Sequence, residues 1–239
     1  PPVEETRQPR AYRRRRGLDD KTIVRCIVGE GLGYGSKPKG LVTFHAYPEG
    51  ARKAAEEHLV EGAAYASSHG VARIHFTVSP EHMEEFKSLL AARIPAYEKR
   101  FGIRYDISYS VQKPSTDTIA VNPDNTPFRQ EDGSLLFRPA GHGALIENLN
   151  DIDADLIFIK NIDNVTTDAR RGDTVLYKKV LAGLLLELQQ ETFAHLRALD
   201  AGTADLTAVA GFIEQRLCVK LPAEYDAALL RAVLDRPIR

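Results

Sequence analysis

The stretch RIHFTVSPEHMEEFKSLLAARIPAYEKRFGIRYDISYSV, residues 73–111, decides the fold class of this chain. Apolar and polar residues alternate over residues 73–79 and again over residues 105–111, which is the period-2 pattern of a β-strand. Between them, Ser79 and Pro80 are typical of an N-cap and a first helical residue, so a helix is predicted to fill most of the interval. A strand, a long helix and a second strand predict two parallel strands joined by a crossover.

Elements on either side extend this pattern. A short strand is predicted over residues 41–45 and a helix over residues 51–68. Residues 156–160 are densely apolar, as expected of a central parallel strand that is buried on both faces. Further short strands and helices are predicted at residues 119–121, 135–138, 144–149, 174–198, 203–217 and 222–234. Alternating strands and helices predict an α/β fold with helices on both faces of the sheet.

The length of 239 residues fits one large domain, or one domain with an appendage. Residues 1–17 form a polar, arginine-rich lead-in, which is either a basic patch for phosphate or nucleic acid or a solvated linker. We predict an α/β core over residues 18–173 and a helical segment of the same domain over residues 174–239. Because the chain begins with Pro1 and ends in the sequence RPIR, we expect it to be an internal piece of a longer protein.

The charge balance and the apolar pattern weigh against two classes of partner. The chain has 32 Lys and Arg against 33 Asp and Glu, a net charge of −1, whereas proteins that bind nucleic acid through bulk electrostatics are clearly basic. No apolar run approaches the roughly 18 residues of a membrane span, and no signal-peptide pattern opens the sequence. We therefore expect a cytoplasmic protein without a nucleic-acid or membrane partner. The two cysteines are too far apart in sequence to form a disulfide framework or a metal cluster by themselves.

Candidate ligand-binding segments lie after the predicted strands, because open α/β sheets bind ligands outside the carboxyl ends of their strands. Pro139-Ala140-Gly141-His142-Gly143 follows one such strand at the entry to a helix. Its small residues either let a planar ligand or a phosphate approach the backbone, or simply form a tight turn. Asp163 follows the strand predicted at 156–160, where a carboxylate either binds Mg²⁺ together with substrate phosphates or caps loop N–H groups.

Two further segments are candidates for binding phosphate. Lys39 stands between Pro38 and Gly40 directly before a predicted strand, so it either neutralises phosphate charge or is a surface lysine in a turn. Residues 29–35 carry glycine at every second position, which is either a weak phosphate-loop signal or a flexible connector. Gln112 follows the strand at 105–111 and is expected at the same sheet edge.

In this order, the motifs resemble those of the UDP-glucose and UDP-N-acetylhexosamine pyrophosphorylases, which are sugar-1-phosphate nucleotidyltransferases. The matching residues are Pro38-Lys39-Gly40, Gln112 with Pro114, Pro139–Gly143 and Asp163-Asn164. Longer stretches, such as QKPSTDTIAVNPDN at residues 112–125 and FRPAGHGALIENLN at residues 137–150, resemble an uncharacterised bacterial family known as domain of unknown function 4301.

This resemblance implies a Rossmann-like three-layer α/β/α sandwich of the nucleotide-diphospho-sugar transferase type, with C-terminal helices. It implies transfer of a nucleotidyl group from UTP, or another nucleoside triphosphate, to a sugar 1-phosphate. Carried over by motif, Lys39 is the catalytic phosphate-binding residue, Asp163 binds Mg²⁺, and the nucleotide-binding residues are Gln112, Pro139, Gly141, His142 and Gly143.

The resemblance also leaves weaker functions open. The glycine run at 29–35 lacks the arginine of the enzymes' phosphate loop, so we expect this piece to be inactive in transfer by itself. The alternatives are a nucleotide- or sugar-nucleotide-binding protein without turnover, or an assembly role in which the C-terminal helices supply the interface.

Overall fold

The structure is a computed structural model that describes residues 19–29 and 31–236. The predicted basic lead-in at residues 1–17 lies outside the described residues. The chain divides into two compact units, Pro1–Gly172 and Asp173–Arg239. The helices are α1 (Asp20–Val28), α2 (Ala54–Tyr65), α3 (Met83–Phe101), α4 (Ile146–Asn150), α5 (Arg171–Asp200), α6 (Leu206–Gln215) and α7 (Ala227–Leu234). The strands are β1 (Thr43–Tyr47), β2 (Gly50–Lys53), β3 (Ser67–Ser68), β4 (Val71–Thr77), β5 (Arg104–Ser110), β6 (Thr118–Ile119) and β7 (Phe137–Arg138).

The strand–helix–strand segment predicted from residues 73–111 is confirmed. β4 and β5 pair in parallel, with Val71 opposite Arg104 and Thr77 opposite Ser110, and α3 forms the crossover between them. Short β3 adds an antiparallel edge beside β4, which gives the sheet order β3-β4-β5. The parallel pairing brings the carboxyl ends of β4 and β5 to the same edge of the sheet.

One face of this sheet packs into the main core of the first unit. Alternate residues of β4, such as Phe76, contact the apolar sides of α2 and α3, where Leu59 and Leu90 are fully buried. The opposite face is polar, because Arg73 on β4 stands across from Asp106 on β5, and both side chains are exposed. The described residues therefore form a mixed α/β fold with small sheets.

The predicted central strand at residues 156–160 is wrong. The structure assigns no strand to these residues, and Ile159 is 67% exposed. The segment lies against α2 instead, where the Phe158 ring meets the Tyr65 ring at 4.9 Å between centroids and Lys160 forms an ion pair with Glu61. A dense run of apolar residues is consistent with a buried strand, but it does not identify the surface on which the segment packs.

Two hairpins complete the first unit. β1 and β2 form an antiparallel hairpin just before α2, so the predicted helix at 51–68 begins three residues later than expected, at Ala54. The Glu56 carboxylate accepts a hydrogen bond from the Lys53 N–H at 2.9 Å and fixes this helix start. β6 and β7 form the second antiparallel hairpin, close to the short strands predicted at 119–121 and 135–138.

The second unit contains most of α5 together with α6 and α7, as the helical patterns predict. Its core is a cluster of buried side chains: Val209, Ala210, Phe212, Ile213, Leu221 and Leu230. Asp205 and Asp226 cap α6 and α7 by accepting hydrogen bonds from N–H groups of the first turn. Among the described residues, no helix combines the length and the apolar character that crossing a membrane requires.

Candidate functional site

A cleft of about 210 Å³ lies at the carboxyl end of β4. The side chains and backbone that line it belong to Pro38, Lys39, Gly40, Phe76, Thr77, Val78, Ser79, Phe86 and Ile162. The short 3₁₀ turn Lys39–Leu41 forms one wall of the cleft. A Cβ atom at Gly40 would lie 2.3 Å from the Phe86 ring, so only glycine allows this turn to pack so closely.

Lys39 and Asp163, which are 124 residues apart in sequence, form an ion pair beside this cleft. Their side chains are 67% and 36% exposed, so water reaches both charges. The Lys39 ammonium lowers the pKa of Asp163, and the electrostatic effect of His142 lowers it further. Of the predicted site residues, Lys39 and Asp163 are therefore in contact, and His142 is near enough to influence the Asp163 carboxylate. Asp163 is thus the partner of a lysine, and a hydrogen bond from its own backbone N–H also lowers its pKa.

The remaining predicted site residues lie in two places. Pro139, Gly141 and Gly143 are exposed, and a Cβ added at either glycine would meet no atom within 4 Å. The space above this loop is therefore open. Gln112 is half-buried after β5, and its Nε2 has no hydrogen-bond partner among the described residues. Within residues 19–29 and 31–236, no group of three or more His, Cys, Asp or Glu side chains could hold a metal ion.

Asp163 lies in an irregular segment, and a buried ion pair fixes the chain just before it. Lys160 Nζ donates to Glu61 Oε2 at 2.5 Å, and both side chains are almost completely buried. His58 Nε2 donates to the backbone carbonyl of Ile162 at 3.0 Å, which places the ring proton on Nε2. Burial lowers the pKa of His58, so the ring is neutral near pH 7. We name the Glu61–Lys160 pair the upstream clamp.

A second set of ion pairs fixes the chain after Asp163. The Arg52 guanidinium donates through Nη1 and Nη2 to the two oxygens of the Asp168 carboxylate, each at 2.8 Å. Arg171 donates to Glu57 Oε2 at 2.5 Å and also to Asp168. Hydrogen bonds from Arg52 and then Arg171 hold the pKa of Asp168 well below its usual range. We name the residues Arg52, Glu57, Asp168 and Arg171 the downstream clamp.

Sequence reasoning missed both clamps. Glu57 and Glu61 are spaced i, i+4 on α2 and are fully buried, although glutamate is among the residue types that are rarely buried without a partner. The available signal is the small residues around them, since Ala54, Ala55 and Gly62 let the helix approach its neighbours closely. A Cβ at Gly62 would lie 2.7 Å from the Ile74 side chain. Lys160 and Arg171, which pair with Glu61 and Glu57, come from segments about 100 residues later, which no local pattern indicates.

The glycine run at 29–35 serves the end of α1. The backbone N–H of Leu32 donates to the Cys26 carbonyl at 2.8 Å, and that of Gly35 donates to the Val28 carbonyl at 3.0 Å. A Cβ at Gly31 would lie 2.5 Å from the Cys26 carbonyl oxygen. These N–H groups are occupied by helix carbonyls and are not offered to a phosphate, so the structure favours a C-terminal cap over a phosphate loop.

Asn148 on α4 is a further polar residue that sequence reasoning missed. It is 4% exposed, and its Nδ2 donates to the Val111 carbonyl at 2.8 Å and to Ser110 Oγ at 2.9 Å. Asn148 thereby ties the helix that follows Pro139–Gly143 to the carboxyl end of β5. The sequence of α4, IENLN, contains a glutamate and two asparagines, so no local pattern distinguishes Asn148.

The fold and the cleft define a mixed α/β protein whose candidate site lies at the carboxyl edge of a parallel strand pair. The family model for a domain of unknown function, DUF4301, matches residues 6–239. The chain therefore belongs to this family, in agreement with the resemblance of its longer stretches. No curated protein and no solved structure matches the chain.

Proposed function

We propose that this protein is a metal-dependent nucleotidyltransferase with a fold of the nucleotide-diphospho-sugar transferase type. Its substrates are a sugar 1-phosphate and UTP or another nucleoside triphosphate. A phosphate oxygen of the sugar phosphate attacks the α-phosphorus, the bond to the bridging oxygen breaks, and pyrophosphate leaves. The observation that carries the proposal is the exposed ion pair between Lys39 and Asp163 at the carboxyl edge of the sheet.

The charges of this pair match the two needs of the reaction. A triphosphate carries negative charge that the site must neutralise while the reacting atoms are held in line. Lys39 contributes a cation to the phosphates. Mg²⁺ usually keeps several waters and binds through one or two carboxylates and the substrate phosphates, so a lone carboxylate such as Asp163 fits it. The ligand would exchange the partners, with phosphate on Lys39 and Mg²⁺ on Asp163.

The open backbone at Gly141 and Gly143 supports a nucleobase site beside these charges. A planar ring can approach a loop closely only where side chains are absent, and nothing fills the space of a Cβ at either position. His142, between the two glycines, lies within electrostatic range of Asp163. The base and the phosphates would therefore occupy adjacent parts of one site.

A second candidate function is nucleotide binding without turnover. It is favoured by the glycine run at 29–35, whose N–H groups donate to carbonyls of α1 and whose sequence contains no arginine. Such a protein would retain the base loop and Lys39 and lack the further donors that in-line transfer requires.

The test is nucleotide binding with and without Mg²⁺, followed by an assay of pyrophosphate release. We expect UTP or another nucleoside triphosphate to bind more tightly with Mg²⁺, and Asp163→Asn to remove this Mg²⁺ effect without changing the melting temperature, because the carboxylate is exposed. Lys87→Met, which breaks an exposed pair with Glu84 and changes no residue that lines the cleft, is the control. A nucleotide effect that needs Mg²⁺ favours the first candidate, and binding without a need for Mg²⁺ and without pyrophosphate release favours the second. The absence of any nucleotide effect would refute both candidates and leave the assembly role.

A further inference from the structure

The N-terminal half of α5 carries large apolar side chains that are exposed to water. Five of them follow the spacing i, i+3, i+4, i+7 and i+8, so they lie on one face of the helix. Their exposed fractions range from 47% to 66%, and they are Tyr177, Val180, Leu181, Leu184 and Leu185. We name these five side chains the α5 stripe. Water therefore contacts a continuous apolar surface about two and a half helical turns long.

The same face of α5 is covered further along the helix. Leu188, one heptad after Leu181, packs against the core of the second unit, and so does Leu199. The buried side chains of this core belong mainly to α6 and α7. The α5 stripe is thus the continuation of a face that is partly buried within the second unit, and it is the part that α6 and α7 leave exposed.

The area of the α5 stripe is sufficient for a small protein interface. Five half-exposed large side chains present on the order of 500 Å² to water, and an apolar patch of this size is often an interaction site. Two such stripes that face each other would bury on the order of 1,000 Å², which is the lower limit for a specific interface. A second copy of the chain would therefore give a dimer of modest affinity, whose population depends on the protein concentration.

We infer that the α5 stripe is the contact surface of a homodimer, in which the two α5 helices pack antiparallel. In a symmetric dimer one patch faces its own copy, so that apolar side chains meet apolar side chains over the whole stripe. A parallel partner would bring its own α6 and α7 between the two helices, because they cover this face from Leu188 onward. The antiparallel arrangement places Leu181, the centre of the stripe, near the two-fold axis. Tyr177 then lies opposite Leu185 of the partner subunit.

The experiment measures the molar mass of the full chain by light scattering after size exclusion, at concentrations from about 1 to 200 μM. We expect a monomer–dimer equilibrium for the unmodified chain. Leu181→Glu should weaken the dimer at least about tenfold, because it would bury two carboxylates beside the two-fold axis. Leu186→Glu is the matched control on the same helix. Leu186 is 39% exposed and lies about 140° around the helix from Leu181, outside the stripe, so this variant should still dimerise.

Disulfide crosslinking gives a second measurement that needs no charged substitution. The two native cysteines are exposed and free, so the background is the chain with Cys26→Ser and Cys218→Ser. In this background Leu181→Cys should form an intermolecular disulfide on mild oxidation, because position 181 lies near its own copy across the axis. Tyr177→Cys should not crosslink, because position 177 lies opposite Leu185 of the partner subunit.

The results that would overturn the inference are distinct from one another. A monomer at every concentration would refute the dimer, and a larger loss of melting temperature in Leu181→Glu than in Leu186→Glu would then show that the stripe is covered within its own chain. A dimer that Leu181→Glu leaves intact would place the interface elsewhere. Equal weakening by both glutamate variants would show that the effect does not belong to the stripe. Crosslinking at position 177 that is as efficient as at position 181 would contradict the antiparallel arrangement.

Discussion

Replacing Lys160 with methionine should lower the free energy of unfolding of the first unit by about 3–5 kcal/mol, the cost of removing one partner of a buried ion pair. Glu61 is 1% exposed and Lys160 is 10% exposed, so little water can replace the lost ammonium. Methionine keeps the length and most of the volume of the lysine stem. The loss therefore reports the uncompensated carboxylate and not a cavity.

The hydrogen bonds that Glu61 keeps after the substitution determine how much of this cost is offset. Tyr65 still donates its hydroxyl proton to Glu61 Oε2 at 2.8 Å, whereas Glu61 Oε1 has no partner among the described residues. One hydrogen bond to a charged group supplies about 1.5–3 kcal/mol, which offsets only part of the cost of an unpaired buried charge. The double variant Lys160→Met with Glu61→Gln should recover much of the loss, because both charges are then absent.

The assay is urea unfolding followed by far-ultraviolet circular dichroism, since the chain contains no tryptophan. Hydrogen exchange of β4 and β5 amides assigns the transition to the first unit. Lys87→Met, whose exposed lysine pairs with Glu84, should cost less than about 1 kcal/mol. If Lys160→Met costs no more than this control, the upstream clamp does not hold a desolvated charge and the reasoning is refuted.

Other predictions concern His58, which donates to the Ile162 carbonyl, and two glycines, of which Gly40 is closely packed and Gly141 is open. Burial lowers the pKa of His58, so the folded state disfavours the extra proton and stability should fall as the pH drops below about 6.5, by at most about 1.4 kcal/mol per pH unit. His58→Gln keeps an N–H donor for the Ile162 carbonyl and should flatten melting temperature against pH between 5 and 7; an unchanged slope would refute this. Gly40→Ala should destabilise the fold because its Cβ meets the Phe86 ring, whereas Gly141→Val should leave the melting temperature unchanged and block nucleotide binding. Unchanged nucleotide affinity in the second variant would refute the base-loop assignment.

Local signals in the sequence predict the part of the fold that local interactions determine. β4, α3 and β5 follow from side-chain alternation and from Pro80, which opens the 3₁₀ turn Pro80–His82 directly before α3 begins at Met83, and both signals depend only on neighbours in the chain. β2 is not predicted, because Gly50-Ala-Arg-Lys53 has no alternation and its extended form depends on pairing with β1. The segment at 156–160 fails for a related reason, since its packing against α2 depends on Glu61 and Lys160, 99 residues apart.

The candidate site is likewise predictable from the sequence only in part. Lys39 and His142 could be selected because each stands beside a recognisable pattern and the ordered set resembles known motifs. Asp163 rests on the resemblance alone, because residues 156–160 before it form no strand. The proximity of these three residues through the Lys39–Asp163 pair is a property of the fold that no single motif contains. The glycine run at 29–35 is a recognisable motif whose role the sequence does not determine, because glycine spacing alone cannot distinguish a helix cap from a phosphate loop. Asn148 belongs to none of the predicted binding motifs, and its position is revealed only by its burial and hydrogen bonds.

The ion pairs around Asp163 differ in exposure, and this difference suits them to different tasks. The upstream clamp and the Glu57–Arg171 contact of the downstream clamp are shielded from water, so separating their charges is costly and the chain on both sides of Asp163 stays in place. The Lys39–Asp163 pair is solvated, so either charge can exchange its partner for a phosphate or a cation at little cost. A nucleotide could therefore open the exposed pair without moving the backbone that carries Asp163. This predicts that binding changes the environment of Lys39 while hydrogen exchange around Lys160 and Arg171 stays constant, and exchange that increases at both clamps on binding would contradict it.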